Sequence, residues 1–194
     1  ETKFPADKTM SHYFKSNRYI GSKDKAAISE NLYTILRNKL RYEYILQSKE
    51  LGTHSRVMVA LLLKMDGGDL YNTFDGEKYS PRRLKAGQLE RFAELDLNVI
   101  DSAPLNIQLN VPEWIAPKLE AALGERYEQE MLATNKRATT DVRVNTLKSN
   151  VPEVDQAFAD LGYKAYKTDL SPWCLRFESR VALFAMRQFK QGYF

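Results

Sequence analysis

Hydrophobic residues recur at three- and four-residue spacing through the first two thirds of the chain, which is the period of amphipathic helices. A short first helix is expected to end near Gly21. The clearest run covers residues 23–40, with Ser22 as the predicted N-cap and five apolar residues on one face. These are Ile28, Leu32, Ile35, Leu36 and Leu40.

Residues 57–65 are apolar on nearly every side, so a buried strand and a central helix are both compatible with them. The helix is favoured because the run continues to Met65 and meets the helix-terminating pair Gly67-Gly68. A helix without a polar face has to be enclosed by its neighbours. The segment is therefore predicted to form the core of a helical domain, with His54 in the cap region at its start.

Further helices are predicted after a connection at residues 69–86. One covers residues 87–96, and another has Asn110 as N-cap, with Glu113 completing a capping box, and ends at Gly124.

A last helix of this region is predicted over residues 125–134, with Tyr127 and Met131 on one face. Trp114 is assigned to core or interface packing.

The period changes at about residue 136. Residues 140–146 alternate between apolar and polar positions, with Val142 and Val144 on one side, as in a half-buried β-strand. A helix is expected to begin after Ser149-Asn150 and to end at Gly162.

Two more strands are predicted at residues 163–167 and 173–177, linked by a turn around Ser171-Pro172. The order strand, helix, strand, strand indicates a ferredoxin-like sheet. Residues 178–194 allow a short helix and then the start of an extended link. The predicted fold class is α+β, an all-α helical bundle at residues 1–135 followed by a small ferredoxin-like domain at residues 136–194.

Charge is distributed unevenly. Residues 1–135 hold nineteen basic and nineteen acidic side chains, whereas residues 136–194 hold ten basic and six acidic ones, so the net charge of +4 lies in the last third. A basic excess beside aromatic residues suits a polyanionic partner. No run has the length of a membrane span. A first residue other than methionine, Glu1, suggests an excised piece of a longer protein.

Catalytic chemistry is not evident in this sequence. Its one cysteine, Cys174, lies between Trp173 and Leu175 in a predicted strand and is expected to be structural, which fits a reducing cytoplasm. His12 and His54 show no metal-ligand spacing. No glycine-rich nucleotide-binding motif and no catalytic serine or carboxylate pair stands out. The chain is therefore expected to catalyse nothing alone.

One motif resembles a known family. Residues 138–148 nearly match the pattern apt-D-x-R-V-N-t-l-K, which opens the small domain ahead of the catalytic domain in the Fmu/Sun family of S-adenosylmethionine-dependent RNA cytosine-5 methyltransferases. Residues 111–117 are similar to the family's P-x-W segment. Residues 18–25 are similar to its R-x-l-G-s-k-D-R helix entrance, with Lys25 replacing the final arginine. The resemblance is strongest over residues 110–192.

The resemblance implies that this chain is the N-terminal, non-catalytic portion of such an enzyme, truncated before the methyltransferase domain. Its helical domain would be NusB-like. S-adenosylmethionine would bind in the parent enzyme, and no cofactor is expected in this chain. The implied partners are RNA, with 16S ribosomal RNA as the expected substrate, and the parent's own C-terminal methyltransferase domain. The expected location is the cytoplasm, without a membrane.

Carried over to this sequence, the polar positions of the motif are Arg143, Asn145 and Lys148, which would hold phosphate or ribose. Nearby basic and aromatic residues are expected to contact phosphate or to stack a base. They are Lys136, Arg137, Lys164 and Lys167 for phosphate, and Tyr163 or Tyr166 for stacking.

Two alternatives remain open at this point. Asp141 could pair with Arg143 or cap nearby backbone, so that the motif serves as a docking contact between domains. The whole chain could also be a non-enzymatic helical module that binds protein partners, with the α+β unit as an accessory. The electrically neutral helical domain and its aromatic residues motivate that second hypothesis.

Overall fold

The structure is a computed structural model of the chain, and it describes residues 4–78, 80–178 and 181–194. The chain divides into two compact units, Glu1–Lys136 and Arg137–Phe194. The first unit is helical. Its α-helices are α1 (Ala6–Ser16), α2 (Ser22–Arg37), α3 (Lys39–Gln47), α4 (Ser55–Met65), α5 (Leu70–Thr73), α6 (Ala86–Ala93), α7 (Leu105–Gln108), α8 (Ala116–Leu123) and α9 (Tyr127–Thr134), with 3₁₀ helices at Leu97–Ser102 and Gly124–Arg126.

Helix α4 lies in the core of the first unit, as its apolar sequence predicts. Four of its residues are buried: Val57, Met58, Ala60 and Leu61. His54 is the N-cap, and its Nδ1 accepts a hydrogen bond from the Val57 N–H at 3.4 Å. The prediction of complete enclosure is wrong on one side, because Val59 remains 42% exposed beside α2.

Helix α2 corresponds to the predicted helix at residues 23–40 but differs at both ends. Gly21 occupies the N-cap position, and Ser22, the predicted cap, is already helical. The helix ends at Arg37 because the chain leaves the helical conformation at Asn38, and α3 starts one residue later.

Asn110 has a different role from the predicted helix cap. Its φ is +56°, its Oδ1 accepts from the Leu40 N–H at 2.9 Å, and its Nδ2 donates to the Arg37 carbonyl at 2.8 Å. The side chain therefore satisfies backbone groups at the break between α2 and α3. It is not available to cap, and α8 begins only at Ala116, with Pro117 in its first turn.

Helices α8 and α9 confirm the predicted helices on either side of Gly124, which has a φ of +55°. Tyr127 and Met131 of α9 are buried in a small apolar cluster of their own. Trp114, by contrast, is 74% exposed, so the core alternative of its assignment is wrong, and interface packing stays a prediction.

The second unit contains β1 (Thr140–Arg143), α10 (Val151–Ala159), β2 (Tyr166–Thr168), β3 (Ser171–Phe177), a 3₁₀ turn at Leu183–Ala185 and α11 (Arg187–Lys190). The sheet order is β1-β3-β2, and both pairs are antiparallel. This arrangement is the split βαβ unit of a ferredoxin-like sheet, so the predicted α+β class is confirmed. The turn between β2 and β3 lies at residues 169–170, earlier than predicted.

Helix α10 packs its buried face against the sheet. Val154 and Phe158 share a core cluster with Val142, Leu175 and Phe177. The helix is capped as predicted, because Asn150 Oδ1 accepts from the Glu153 N–H at 2.9 Å.

Strand β1 is shorter than the predicted strand at residues 140–146. The backbone turns at Asn145, whose carbonyl accepts from the Lys148 N–H at 3.0 Å. The prediction of an extended link at residues 188–194 is also wrong in part, because residues up to Lys190 form α11. Part of the ambiguous segment 178–194, namely Ser179 and Arg180, lies outside the described residues.

We expect Asn110→Ala to lower the free energy of unfolding by about 2 kcal/mol, because two backbone groups lose their partner and alanine retains a positive φ. Asn110→Gly loses the same hydrogen bonds but tolerates the backbone conformation, so its effect should be smaller. Urea denaturation followed by circular dichroism measures both. Asn17→Ala, which removes only a local bond to the Tyr13 carbonyl, is the control. Wild-type stability of Asn110→Ala would contradict the role assigned to this residue.

Candidate nucleic-acid interface

Strand β1 presents its polar side chains on the face of the sheet opposite to the buried valines. Val142 and Val144 are 4% and 2% exposed, while Asp141 and Arg143 are exposed. The alternation predicted from the sequence is confirmed. Pairing with β3 places Asp141 opposite Arg176 and Arg143 opposite Cys174.

Asp141 forms a two-point ion pair with Arg176. The Arg176 Nε and Nη2 atoms donate to the two carboxylate oxygens at 2.8 and 2.6 Å. This pair replaces the predicted alternative, in which Asp141 pairs with Arg143. The hydrogen bonds from Arg176 lower the pKa of Asp141 from its ordinary value, because they favour the charged carboxylate.

Arg143 differs from Asp141 in having no side-chain partner among the described residues. Its guanidinium makes no hydrogen bond or ion pair with any residue in the described parts of the chain. It lines a groove of about 360 Å³ at the end of β1, together with residues 144–147 and Trp173. Trp173 is 45% exposed. The groove is thus lined by a basic and an aromatic residue that belong to opposite faces of the sheet, because Trp173 pairs with Val144 and Arg143 pairs with Cys174.

Asn145 and Lys148, the other polar positions of the motif, are engaged within the second unit. The Asn145 carboxamide donates to the Gly192 carbonyl at 2.9 Å, and the Lys148 ammonium donates to the Gln191 carbonyl at 3.1 Å. The Asn145 N–H also donates to the Tyr193 carbonyl at 2.8 Å. These two residues hold the C-terminal segment against the end of β1.

Tyr166 shares the exposed face of the sheet with the ion pair, since it lies opposite Arg176 in the β2–β3 register. The Lys164 ammonium lies 5.2 Å from the centre of its ring, a cation–π distance. Tyr163 is half-buried, and its ring meets Phe158 edge-on at 6.5 Å. Of the two predicted tyrosines, Tyr166 is therefore exposed and Tyr163 packs against the core, while stacking of a base stays a prediction.

The remaining predicted phosphate contacts are exposed but are not gathered around the groove. Lys167 follows Tyr166 on β2 and lies opposite Leu175, so it is on the other face of the sheet from Tyr166. Lys136 is the last residue of the first unit, and Arg137 is the first residue of the second.

Sequence reasoning overlooked two residues next to the motif, Trp173 in the groove and Arg176 on the exposed face. Both lie on β3, and only the pairing of β3 with β1 brings them to the motif. The sequence did contain a signal for these two residues, because residues 173–177 are predicted to form a strand and the second unit is rich in aromatic and basic residues.

Two of the residues considered for catalysis or metal binding, Cys174 and His12, lie within regular secondary structure. Cys174 is half-buried within β3, and His12 lies on α1. Among the residues that the structure describes, no group of three His, Cys, Asp or Glu side chains is arranged to hold a metal ion. In those same ranges, no helix combines the length and apolar character needed to cross a bilayer.

Comparison with known proteins identifies relatives of the second unit. Residues 111–183 match the family model of the ferredoxin-like domain of RsmF/B-like methyltransferases. The match confirms the resemblance to the N-terminal portion of the Fmu/Sun enzymes and supports a role related to RNA methyltransferases. It begins upstream of Arg137, so it includes α8 and α9.

A solved structure entitled "Crystal Structure of PH0851" shares the fold. It aligns with 99% of this chain at a TM-score of 0.55 and 15% sequence identity. The chain spans about half of that protein, 48% of its length. No curated protein matches the chain.

The ion pair predicts an acid-dependent contribution to stability. The pKa of Asp141 is lower in the folded chain than in the unfolded one. The ion pair therefore contributes to the free energy of unfolding above the pKa of the unfolded chain, about 4, and this contribution is lost as the pH falls through the pKa of the folded chain. Asp141→Asn should therefore show a smaller fall in melting temperature than wild type between about pH 5 and pH 2.5. Thermal unfolding followed by circular dichroism measures this difference.

The other described carboxylates with a lowered pKa, Asp69 and Asp75, are each held low mainly by a backbone N–H donor and are retained in the variant. Identical pH profiles of the two proteins would contradict the assigned ion pair.

Proposed function

We propose that this chain is the N-terminal RNA-recognition and domain-docking portion of an S-adenosylmethionine-dependent RNA cytosine-5 methyltransferase of the cytoplasm. The parent would act on ribosomal RNA, with 16S ribosomal RNA as the expected substrate. The parent would bind its cofactor in a C-terminal methyltransferase domain. The second unit of this chain would help to position that domain. The helical unit would be its NusB-like domain.

The observation that carries the proposal is the groove at the end of β1. Single-stranded RNA is recognised by stacking of its bases on aromatic side chains and by contacts from cations to its phosphates. Trp173 lines the groove and is 45% exposed, and Arg143 lines it with a guanidinium that has no partner among the described residues. The volume of about 360 Å³ lies in the range of small-molecule sites.

The exposed face of the sheet supports the same function with a second aromatic position. Tyr166 is 39% exposed, and Lys164 adds a cation beside its ring. Arg176 contributes less, because its charge is compensated by Asp141. The basic excess of the last third of the chain provides a favourable field for a polyanion.

We assign the domain-docking role of the proposed function to Asn145 and Lys148. Their donors already hold the backbone of residues 191–193, which lead towards any domain that follows. Binding of RNA by these donors would require breaking those bonds. We therefore assign different roles to the residues of the motif. Arg143 would contact RNA, and Asn145 and Lys148 would hold the C-terminal segment of the chain.

Arg143→Ala should weaken the binding of a single-stranded ribosomal RNA fragment about tenfold and lower the salt slope of log K by about one, because one phosphate contact is lost. Fluorescence anisotropy with the 194-residue chain, at about 50 and 200 mM salt, measures both quantities. Trp173→Ala should weaken binding similarly, and Trp173→Phe should retain part of the stacking.

Arg187→Ala is the matched control, because it removes the same charge from α11 outside the groove. If Arg143→Ala and Arg187→Ala weaken binding equally, the basic unit attracts RNA as a whole and the groove is not its site.

A second candidate function is supported by an apolar groove in the helical unit. It has a volume of about 870 Å³ and is lined mainly by apolar residues of α2 and α4. Ile28, Leu36 and Val59 are 39–42% exposed there. The occupant that fits such a groove is an amphipathic helix of a partner protein. The chain would then act as a helical protein-binding module, with the α+β unit as an accessory.

Replacing Leu36 and Val59 together by asparagine should abolish capture of a helical partner from ribonuclease-treated extract and leave RNA affinity unchanged, because the apolar contact is lost while the net charge stays the same. Tyr71→Asn, at an exposed position on α5, is the control. Pull-down followed by size-exclusion chromatography is the measurement. Absence of any partner for the wild-type chain would exclude this second function.

A further inference from the structure

The helical unit separates its charges along the chain. Residues 1–38, which end at the break between α2 and α3, hold seven basic and four acidic side chains. Residues 39–135 hold twelve basic and fifteen acidic ones, so the neutral total combines a charge of +3 with a charge of −3. A local excess of one sign attracts the opposite charge even where the net charge of the whole unit is zero. The N-terminal part of the helical unit is therefore its basic region.

Four exposed cations of this region have no side-chain partner among the described residues. They are Lys8, Lys15, Arg18 and Lys23. Five cations further along the unit are held in ion pairs instead. The pairs are Arg37–Glu30, Lys39–Glu43, Lys49–Glu94, Arg91–Glu50 and Arg126–Glu130. The basic region thus carries positive charge that contacts within the described chain do not compensate.

Lys23 is placed against a local rule of helix electrostatics. It lies in the first turn of α2, where the positive end of the helix dipole favours Asp24 and disfavours a cation. Lys15, in the last turn of α1, follows the rule, and Arg18 lies in the bend between the two helices. Departures from a local rule that bring no internal contact are expected at functional sites.

Helix α1 turns its apolar side towards the protein and its cations outwards. Met10 and Phe14 are half-buried, and the Lys25 ammonium lies 5.9 Å from the centre of the Phe14 ring, which places the start of α2 beside α1. Lys8 and Lys15 recur on one side of the helix, and both are exposed. A helix that binds a bilayer inserts its apolar side. The arrangement therefore favours a polyanion in solution over a membrane.

Tyr19 adds an aromatic ring to the bend between α1 and α2. It is 84% exposed and follows Arg18 directly, while the next residue, Ile20, is buried and anchors the bend. Single-stranded RNA is bound by stacking of its bases on such rings and by cations along its phosphates. An acidic protein surface needs the cations alone. The exposed ring among unpaired cations therefore favours RNA as the partner.

We propose that Lys8, Lys15, Arg18, Tyr19 and Lys23 form a second contact surface for single-stranded RNA, here called the N-terminal basic surface. The inference rests on the proposed function for the class of ligand, and it extends RNA contact to the helical unit. The four cations would contact phosphates, and Tyr19 would stack an unpaired base. A phosphate beside Lys23 would also offset the unfavourable position of that cation at the start of α2.

Replacing Lys15 and Arg18 together by glutamine should weaken binding of a single-stranded ribosomal RNA fragment about tenfold and lower the salt slope of log K by about 1.4, because two phosphate contacts are lost. Fluorescence anisotropy with the 194-residue chain, at about 50 and 200 mM salt, measures both quantities. A fragment of about forty nucleotides can occupy more than one site. Arg82→Gln with Lys118→Gln is the matched control, because it removes the same charge from exposed positions of the same unit that also lack a described side-chain partner.

Tyr19→Ala should weaken binding of the same RNA at least about fivefold, because one stacked base is lost, and Tyr19→Phe should retain most of the affinity. Tyr71→Ala is the control, since Tyr71 on α5 is also highly exposed, at 72%. Circular dichroism of every variant checks that the helical fold is kept.

Three results would overturn the proposal. They are equal weakening by the two double substitutions, wild-type RNA affinity of Tyr19→Ala, and weaker binding of the Lys15 and Arg18 variant to phosphatidylserine vesicles with unchanged RNA affinity. Arg143→Ala with the same RNA reports on the proposed function separately. Weakening by Arg143→Ala alone would reject the N-terminal basic surface and retain the groove, whereas weakening by the Lys15 and Arg18 variant alone would reject the groove. Absence of RNA binding by the wild-type chain would overturn both.

Discussion

The hydrogen bonds of Asn145 determine how the second unit is organised around its first strand. Its carboxamide donates to the Gly192 carbonyl, its Oδ1 accepts from the Leu147 N–H, and its own N–H donates to the Tyr193 carbonyl. One residue thus ends β1, shapes the turn before α10 and fixes the C-terminal segment. Glycine at position 192 suits this contact, because a Cβ there would approach the Lys148 ammonium to 3.0 Å.

This arrangement separates the polar residues of the motif by their chemistry. A donor that is already bonded to a carbonyl must lose that bond before it can contact a ligand, and the cost of leaving the carbonyl unsatisfied opposes the exchange. Asn145 and Lys148 are in that situation, and Arg143 is not. A single sequence motif therefore contains one residue suited to an external anion and two suited to internal docking.

The sequence predicted the elements better than their long-range contacts. The spacing of apolar residues correctly predicted α4 and the buried face of β1, because residues on a buried face recur with the period of the helix or strand. Asn110 shows why other predictions were wrong: asparagine before Pro112-Glu113 matches a helix cap, yet its side chain bonds to residues about seventy positions away. Trp173 was missed for the same reason, since only strand pairing brings it to the motif. Local patterns carry no information about such partners.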